Sequence, residues 1–427
     1  MPTIREAYFN RRSAALLMLG FASGLPFILV TDTLAAIMKD AHVATEKIGS
    51  LASIVAIPYT FKFIWAPLMD RYVPPLLGRR RGWLLVMQTL LIAAIALLSF
   101  IDPGQAFAAF AAAALIVAFL SASQDIVGDA YRTDVLPPEE RGMGAATWVM
   151  GYRIAMLAIG GGALLLVDSA LSWHATLLLI AGVMGLGLVT TLLAPEPATP
   201  ASAPQTLRSA VVNPLRDMLR RPGIWAVILF VVLFTLPEVM AKTMTLPFML
   251  DIGISKHDIG IIRQWMGFGC TIVGALVGGA LAVRFPLKRL LLLFGILGAA
   301  SNAGFWVLTQ TGPRYGIVVG AIAVENFCDG LVKAGFGAFL MSQCDIRFSA
   351  FQFALLSGLM RLTTVLGGAP AGRLADRAGW ATFFIVSILA AIPGLLFIPW
   401  LPLTRPQDIE HDPPRPLDLK TEPPSPR

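Results

Sequence analysis

Residues 66–83 read APLMDRYVPPLLGRRRGW, and this stretch joins two long apolar runs. The first run covers residues 48–69 and closes on an Asp-Arg step, whereas the second opens at Trp83, directly after Gly-Arg-Arg-Arg-Gly. Charged side chains are costly inside a bilayer and collect in the loops between membrane helices. The stretch therefore predicts a short basic loop between two membrane-spanning helices.

The composition of the whole chain is that of an integral membrane protein. Of its 427 residues, 56% are hydrophobic and only 14% are charged, whereas about a quarter of the residues of a soluble domain are charged. The net charge is +7, but the basic residues stand in short clusters between apolar runs, as in the loops of membrane proteins. We therefore expect the lipid bilayer as a partner and no nucleic acid.

Enzyme and metal signatures are missing from the sequence. It contains no H-E-x-x-H, no G-x-x-x-x-G-K-[ST], and no G-x-S-x-G with partners placed to serve it. Cys270, Cys328 and Cys344 lie in or beside apolar segments without C-x-x-C spacing, so we expect packing residues. The sequence thus predicts a protein that is not an enzyme, holds no metal or cofactor and uses an ion gradient rather than ATP.

Hydropathy divides the chain into about twelve helices, because a membrane helix needs about 20 predominantly apolar residues. The first run continues from Ala14 past Val30, which is too long for a cleaved signal peptide. The predicted helices, numbered 1 to 12, lie at residues 13–36, 48–69, 83–101, 106–131, 142–167, 172–194, 223–249, 259–283, 288–310, 314–341, 349–372 and 380–402.

Two halves of six helices each follow from this division. Residues 1–194 form the first half and residues 223–402 the second, joined by a Pro/Ala/Ser-rich connector at 195–222. Residues 403–427 are rich in Pro, Asp and Glu, and we expect a disordered cytoplasmic tail. A short repeat supports the halves: Gly-Gly-Ala at 161–163 and at 367–369 is followed in each case by a tryptophan and preceded by an arginine.

Lysine and arginine set the predicted orientation. Basic clusters occupy the N-terminus, the loop after helix 2, the connector and the loop after helix 8, whereas the loops after helices 3 and 5 have none. Both termini should therefore be cytoplasmic. Arg373 and Arg377, after helix 11, are the exception to this count.

The loop at residues 66–83 resembles the signature loop of major facilitator transporters, although YVPPLL lengthens the space before the arginines. The resemblance implies the major facilitator fold and a cytoplasmic latch that is made in one access state and broken in the other. An alternative is that the arginines serve membrane orientation alone. The implied latch residues are Asp70, Arg71, Arg79, Arg80 and Arg81.

Longer strings resemble the AmpG-type muropeptide permease family, over nearly all of the chain up to about residue 400. They include GFASGLP, FKFIWAPLMDRYVPP, SASQDIVGDAYRTDVLPPEERG, FGILGAASNAGFW, ENFCDG and FSAFQFALLS. The resemblance implies a proton-motive-force-driven importer of N-acetylglucosamine–anhydro-N-acetylmuramyl peptides in the bacterial inner membrane, working as a monomer. Some members carry two further C-terminal helices. The alternatives are a transporter of another solute (an oligopeptide, a siderophore or an acyl-CoA-like anion) and a non-transporting receptor.

Polar residues within the predicted spans mark a pathway by default. The implied substrate carries hydroxyls, amides and carboxylates, and arginine forks match carboxylates. For each cation the alternative is an internal ion pair between helices. The residues assigned to substrate are Lys62, Arg153 and Arg361 for carboxylates, with Gln124, Asn302 and Asn326 for hydrogen bonds.

A proton carrier must be a carboxyl that binds a proton near neutral pH, which desolvation or a like-charged neighbour favours. Asp125 and Asp129 on helix 4, and Glu325 and Asp329 on helix 10, are such pairs at four-residue spacing. Glu325 leads, and Lys333 is expected to pair with Asp329; Asp129 has Arg132 as an alternative partner. The other polar residues within spans are Asp32, nearer the outer end of helix 1, and Glu238 and Lys242 on helix 7.

Overall fold

The structure is a computed structural model that describes residues 6, 8–160, 162–169, 171–197 and 206–402. The predicted tail at 403–427 lies outside these residues. Every regular element within them is a helix, as hydropathy predicts. The helices are α1 Arg11–Asp40, α2 Thr45–Phe61, α3 Gly78–Leu98, α4 Phe107–Val135, α5 Arg141–Gly160, α6 Trp173–Leu193, the connector helix Leu207–Arg220, α7 Ile224–Asp251, α8 Phe268–Arg284, α9 Leu287–Thr311, α10 Tyr315–Ser342, α11 at 349–378 and α12 at 380–397, interrupted at Ala390.

Eleven helices in the described part of the chain are long and apolar enough to cross a membrane. The remaining predicted span is α11, which continues into α12 as one element, Ser349–Leu389. Gly379 separates the two with a φ of 77°, in the left-handed region that favours glycine. The chain is thus a multi-pass membrane protein, with α11 and α12 joined more tightly than the sequence predicted.

Within the described residues, three helices are broken where the sequence predicted continuity. The prediction at 48–69 was wrong because α2 ends at Phe61 and a 3₁₀ turn, Lys62–Ile64, leads into a short helix, Ala66–Arg71. Pro67 lacks the N–H that would continue the helical ladder, so the chain restarts there. The helices predicted at 288–310 and 380–402 are likewise interrupted, at Asn302 and at Ala390.

The two six-helix sets pack in the same way. Helix α1 packs on α5 as α7 packs on α11, and α3 packs on α4 as α9 packs on α10. Between the sets, α5 lies against α8 and α10, and α11 lies against α2 and α4. Each contact has its counterpart under exchange of the two sets, which is the symmetry that repeated halves generate.

The repeated tryptophans occupy equivalent places. Trp173, which opens α6, donates its indole N–H to Asp40 at 2.9 Å, at the end of α1. Trp380, which opens α12, donates to Asp251 at 3.1 Å, at the end of α7. The short sequence repeat therefore marks one tie per half, between its first and its last helix.

The two sets approach most closely on the side that carries the connector. A Cβ on Gly142 of α5 would lie 2.2 Å from the Ala282 Cβ of α8, and one on Gly337 of α10 would lie 2.9 Å from the Ala145 Cβ of α5. Only glycine lets these helices touch. The bundle is therefore packed shut between these helices on the connector side.

Candidate functional site

Asp329, on α10, lies at the centre of a charged cluster midway along the bundle. Its carboxylate is within 2.5 Å of Lys242 Nζ, 2.6 Å of Lys333 Nζ and 3.4 Å of an Arg153 guanidinium nitrogen. Lys242 comes from α7 and Arg153 from α5, so the contact with Arg153 crosses between the two sets of helices. The side chain of Asp329 is only 2% exposed. We call Asp329 and its three cationic neighbours the Asp329 cluster.

The cations of this cluster reach solvent. The side chains of Lys242 and Lys333 are 36% and 31% exposed, although both contact a buried carboxylate. Lys242 also lies 2.5 Å from Glu238, one helical turn earlier on α7. Three cations thus face two paired carboxylates, which leaves one positive charge to be balanced by another group.

Glu325 adds a further carboxylate beside this cluster. It stands one turn before Asp329 on α10, and its carboxylate accepts a hydrogen bond of 2.8 Å from the side chain of Asn326. Asn326 in turn accepts from Thr271 of α8 at 3.2 Å. When Glu325 is ionised the assembly is neutral, and when Glu325 is protonated it carries one positive charge.

A cavity opens next to Glu325. It lies between α7, α9, α10 and α12, and its polar lining includes Glu238, Ser301, Asn302, Glu325 and Asp329. Asn302 is buried and donates its amide to Ser387 of α12 at 3.2 Å, which also explains its place at the break in α9. The cavity therefore brings three carboxylates, those of Glu238, Glu325 and Asp329, to one largely apolar space.

The first half holds its charges differently. Asp129 on α4 contacts Lys62 at 3.2 Å and Arg132 at 2.8 Å, and all three side chains are 11% exposed or less. The Arg132 guanidinium also lies over the rings of Trp148 and Phe353. This ion-pair network is enclosed, unlike the Asp329 cluster.

Gln124, assigned from sequence to substrate, has a structural partner. Pro26 in α1 has no N–H, so the carbonyl of Ala22 one turn earlier loses its helical donor. The Gln124 amide donates to this carbonyl at 2.9 Å, and Gln124 is 1% exposed. Asp125, the next residue, accepts a hydrogen bond from the Ser23 hydroxyl. These two residues therefore clamp the proline bend of α1.

Two further residues were named from sequence. Asp32 is exposed in a π-helical turn of α1. Arg361 lies on α11, but its side chain is outside the described part of the structure.

The basic loop forms a buried network on the connector side. Arg80 donates to Asp70 at 2.8 Å, to Asp134 at 2.7 Å and to the Ser349 hydroxyl at 2.7 Å. Asp70 also accepts from the backbone N–H of Phe351 at 2.9 Å, in the first turn of α11. Because Ser349 and Phe351 belong to the second half, this network fastens the halves together.

The remaining arginines of the loop have different partners. Arg79 donates to the carbonyls of Ile346 and Arg347 at 3.1 and 3.2 Å, which also joins the halves. Arg81 donates to the carbonyls of Thr191 and Leu192, within the first half.

Arg71 packs over the ring of Tyr72 on the surface.

In the loop that Arg79 contacts, burial alone would raise the pKa of Asp345. Hydrogen bonds from Arg347 outweigh that effect, so the pKa lies below its usual range.

Comparisons with known proteins agree with this architecture. A model of the Major Facilitator Superfamily matches residues 15–344 and 238–424. Two solved transporters share the fold. FucP in the outward conformation has a TM-score of 0.73 at 14% identity, covering 93% of this chain and all 100% of that chain. The proton:xylose symporter XylE has a TM-score of 0.68 at 12% identity, covering 91% of this chain and 95% of that chain.

Sequence relatives are more specific. The anhydromuropeptide permease of Escherichia coli strain K12 is 47% identical over 388 residues, which cover 91% of this chain and 79% of that protein. A putative transporter, AmpG 4, of Rickettsia conorii is 28% identical, covering 93% of this chain and 98% of that protein. The chain therefore belongs to the Major Facilitator Superfamily and, within it, to the family of AmpG-type permeases.

Proposed function

We propose that this protein imports anhydromuropeptides across the bacterial inner membrane, driven by protons. The observation that carries the proposal is the Asp329 cluster, in a chain 47% identical to an anhydromuropeptide permease. A peptide-bearing sugar with several carboxylates needs cationic donors in a wet cavity. The cluster offers three such donors around one buried carboxylate.

Substrate recognition, in this proposal, is an exchange of carboxylates. Lys242, Lys333 and Arg153 bind Asp329 when no substrate is present, and a substrate carboxylate competes for the same donors. The guanidinium of Arg153 can hold a carboxylate through two parallel hydrogen bonds. Because Arg153 belongs to the other half, its transfer from Asp329 to substrate changes a contact between the halves.

The other residues assigned to substrate from sequence divide into two groups. Asn326 borders the cluster through Glu325, so we keep it as a hydrogen-bonding residue. Arg361 stays a proposed carboxylate partner. The buried contacts of Lys62, Gln124 and Asn302 favour a supporting role for these three.

Glu325 is the proposed proton carrier. Adding a proton to Glu325 leaves the assembly with one surplus positive charge, and a substrate anion restores neutrality. Proton and anion would therefore enter together, which is the stoichiometric link that symport requires. The enclosed Asp129 network and the Ser23 contact of Asp125 favour structural roles for these two carboxylates.

In the access cycle, the two halves rock about the bound substrate. The halves are residues 1–194 and 223–402, and the connector at 195–222 joins them. Both termini are placed in the cytoplasm, so the connector side is the cytoplasmic side. The network of Asp70, Arg80 and Ser349 and the close glycine contacts then hold the cytoplasmic side shut. The molecule acts as a monomer.

Uptake into sealed right-side-out membrane vesicles tests the proposal. Energised vesicles that contain the protein should accumulate labelled anhydromuropeptide, and a protonophore should abolish the accumulation. Vesicles without the protein are the control. Absence of uptake in energised vesicles would contradict the substrate assignment, and accumulation that survives the protonophore would contradict proton coupling.

A further inference from the structure

The connector helix, Leu207–Arg220, has one face that the rest of the protein covers. Thr206 and Ser209 form a capping box at its start, so the helix begins at a defined residue. Ala210, Pro214 and Met218, at four-residue intervals, are buried against the bundle. The helix lies beneath the short helix Ala66–Arg71 and the connector-side ends of α7 and α11.

A second face of this helix is apolar and uncovered. Val211, Leu215 and Leu219 follow one another at four-residue intervals and are 38%, 38% and 46% exposed, and Val212 beside them is 45% exposed. Adjacent uncovered apolar side chains on one helix mark an interaction surface. We call these four residues the apolar stripe.

A third face is basic. Arg216 and Arg220 stand one turn apart beside the apolar stripe, and Arg208 precedes it at the start of the helix; all three are exposed. The one acidic side chain of this helix, Asp217, pairs with Arg221 at the edge of the protein-facing side. Around its axis the helix thus presents, in order, the face that contacts the protein, the apolar stripe and the arginines.

The height of the helix relative to the membrane follows from its neighbours. Trp225, four residues after Arg221, is 70% exposed at the start of α7, and Trp400 is 68% exposed beyond α12. Gly223 packs close to Pro402, so both tryptophans belong to the same end of the bundle. Exposed tryptophans at the ends of membrane helices lie at the headgroup level.

We propose that the connector helix lies in the headgroup layer of the bilayer and binds anionic phospholipid. The apolar stripe enters the boundary of the acyl chains, and Arg208, Arg216 and Arg220 bind lipid phosphates. A helix with separate apolar and basic faces lies in the membrane surface in this way, and juxtamembrane arginines favour anionic lipid. The occupant of the stripe is therefore the bilayer, and charge selects its lipid.

Spin labels measure the depth of the stripe directly. Leu215→Cys and Asn213→Cys, each labelled in a full-length background in which Cys270, Cys328 and Cys344 are replaced by alanine, are reconstituted in vesicles of phosphatidylethanolamine and phosphatidylglycerol. The label at 215 should lie roughly 5–10 Å below the phosphates, more accessible to oxygen than to a nickel chelate. The label at 213 should show the reverse. A monodisperse elution profile confirms that both variants are folded.

A second arm tests the lipid charge. Arg216→Gln/Arg220→Gln should move the 215 label outward and lower its oxygen-to-nickel ratio severalfold. Arg284→Gln/Arg289→Gln removes the same charge from another loop on the same side and should leave the ratio unchanged. Vesicles of phosphatidylcholine alone should also give the lower ratio.

Three results would overturn the proposal. Equal nickel access at 215 and 213 would place the stripe in water. Identical depth in anionic and neutral vesicles would remove the role of the arginines. The stripe could instead be covered by a second copy of the protein. Disulfide bonds between Leu215→Cys residues of separate molecules, together with a 215 label that does not enter lipid, would show this.

Discussion

The two halves of this transporter share their packing but differ in how they hold charge. In the first half, Asp129 is enclosed with Lys62 and Arg132, and none of the three side chains is more than 11% exposed. In the second half, Asp329 is as deeply buried, but Lys242 and Lys333 are about a third exposed at 36% and 31%. A ligand can reach counter-ions that are exposed to solvent, whereas breaking an enclosed ion pair leaves a buried charge uncompensated.

The proline bends show the same division. Pro26 in α1 leaves a carbonyl that Gln124 satisfies, and Asp125 holds Ser23 beside it. In α7, Pro237 directly precedes Glu238, and both residues line the cavity. One half therefore uses its polar residues to fix a bend, and the other uses them to line a cavity.

The largest expected effect separates the two aspartates. Asp329→Asn removes the carboxylate that holds three cations, and we expect uptake by the folded protein to fall by at least a hundredfold. Asp129→Asn should cost roughly 3 kcal/mol of stability because it leaves buried cations unpaired, while the folded fraction keeps its uptake. Uptake per folded molecule, with the fraction folded from thermal melts, measures both. Equal losses per folded molecule would erase the distinction between the halves.

A smaller effect separates the two lysines. Lys242→Gln should raise the KM for anhydromuropeptide by roughly 10-fold to 100-fold, because a charge-assisted hydrogen bond contributes roughly 1.5–3 kcal/mol. Lys62→Gln should leave KM within about twofold and lower the melting temperature instead. Initial uptake rates across a substrate series give both values. A KM change at Lys62 as large as at Lys242 would return Lys62 to the substrate site.

Weakening the network on the connector side should change the equilibrium between the access states more than it changes substrate binding. Ser349→Ala removes the hydroxyl that accepts from Arg80 and donates to Asp134 at 2.6 Å. We expect a loss of about 1–2 kcal/mol for the state that is closed on the connector side. A cysteine at Gly142 or Gly337 would itself push the facing helices apart. Ala145→Cys is therefore the better reporter of opening, read from its rate of alkylation. Its labelling rate should rise severalfold in Ser349→Ala, and an unchanged rate would contradict the latch.

The smallest effect tests the symmetry itself. Trp173→Phe and Trp380→Phe each remove one indole hydrogen bond to an aspartate, at the corresponding place in each half. Each should cost about 1 kcal/mol or less, because both indoles are solvent-accessible. Chemical denaturation of the purified protein measures the two losses. Stability losses that differ between the two variants by much more than about 1 kcal/mol would show that the two ties are not equivalent.

Hydropathy predicted most of the helices, and the motifs predicted the family, because both follow from local composition. The partners of the polar residues depend on how distant helices pack, and the sequence did not reveal them. Asp134 was missed although it closes α4 in the string Arg-Thr-Asp, and Lys242 was named without its contact to Asp329. Gln124 was assigned to substrate because it is polar within a predicted span. Its contact with the carbonyl freed by Pro26 forms only when α1 packs on α4, so the sequence did not show it.

The most direct test of the account is whether Glu325, and not Asp125, carries the coupling proton. Accumulation and counterflow of labelled anhydromuropeptide are measured in vesicles that contain Glu325→Gln or Asp125→Asn. We expect Glu325→Gln to lose protonophore-sensitive accumulation but to keep substrate exchange, and Asp125→Asn to keep both. Full protonophore-sensitive accumulation by Glu325→Gln would contradict it.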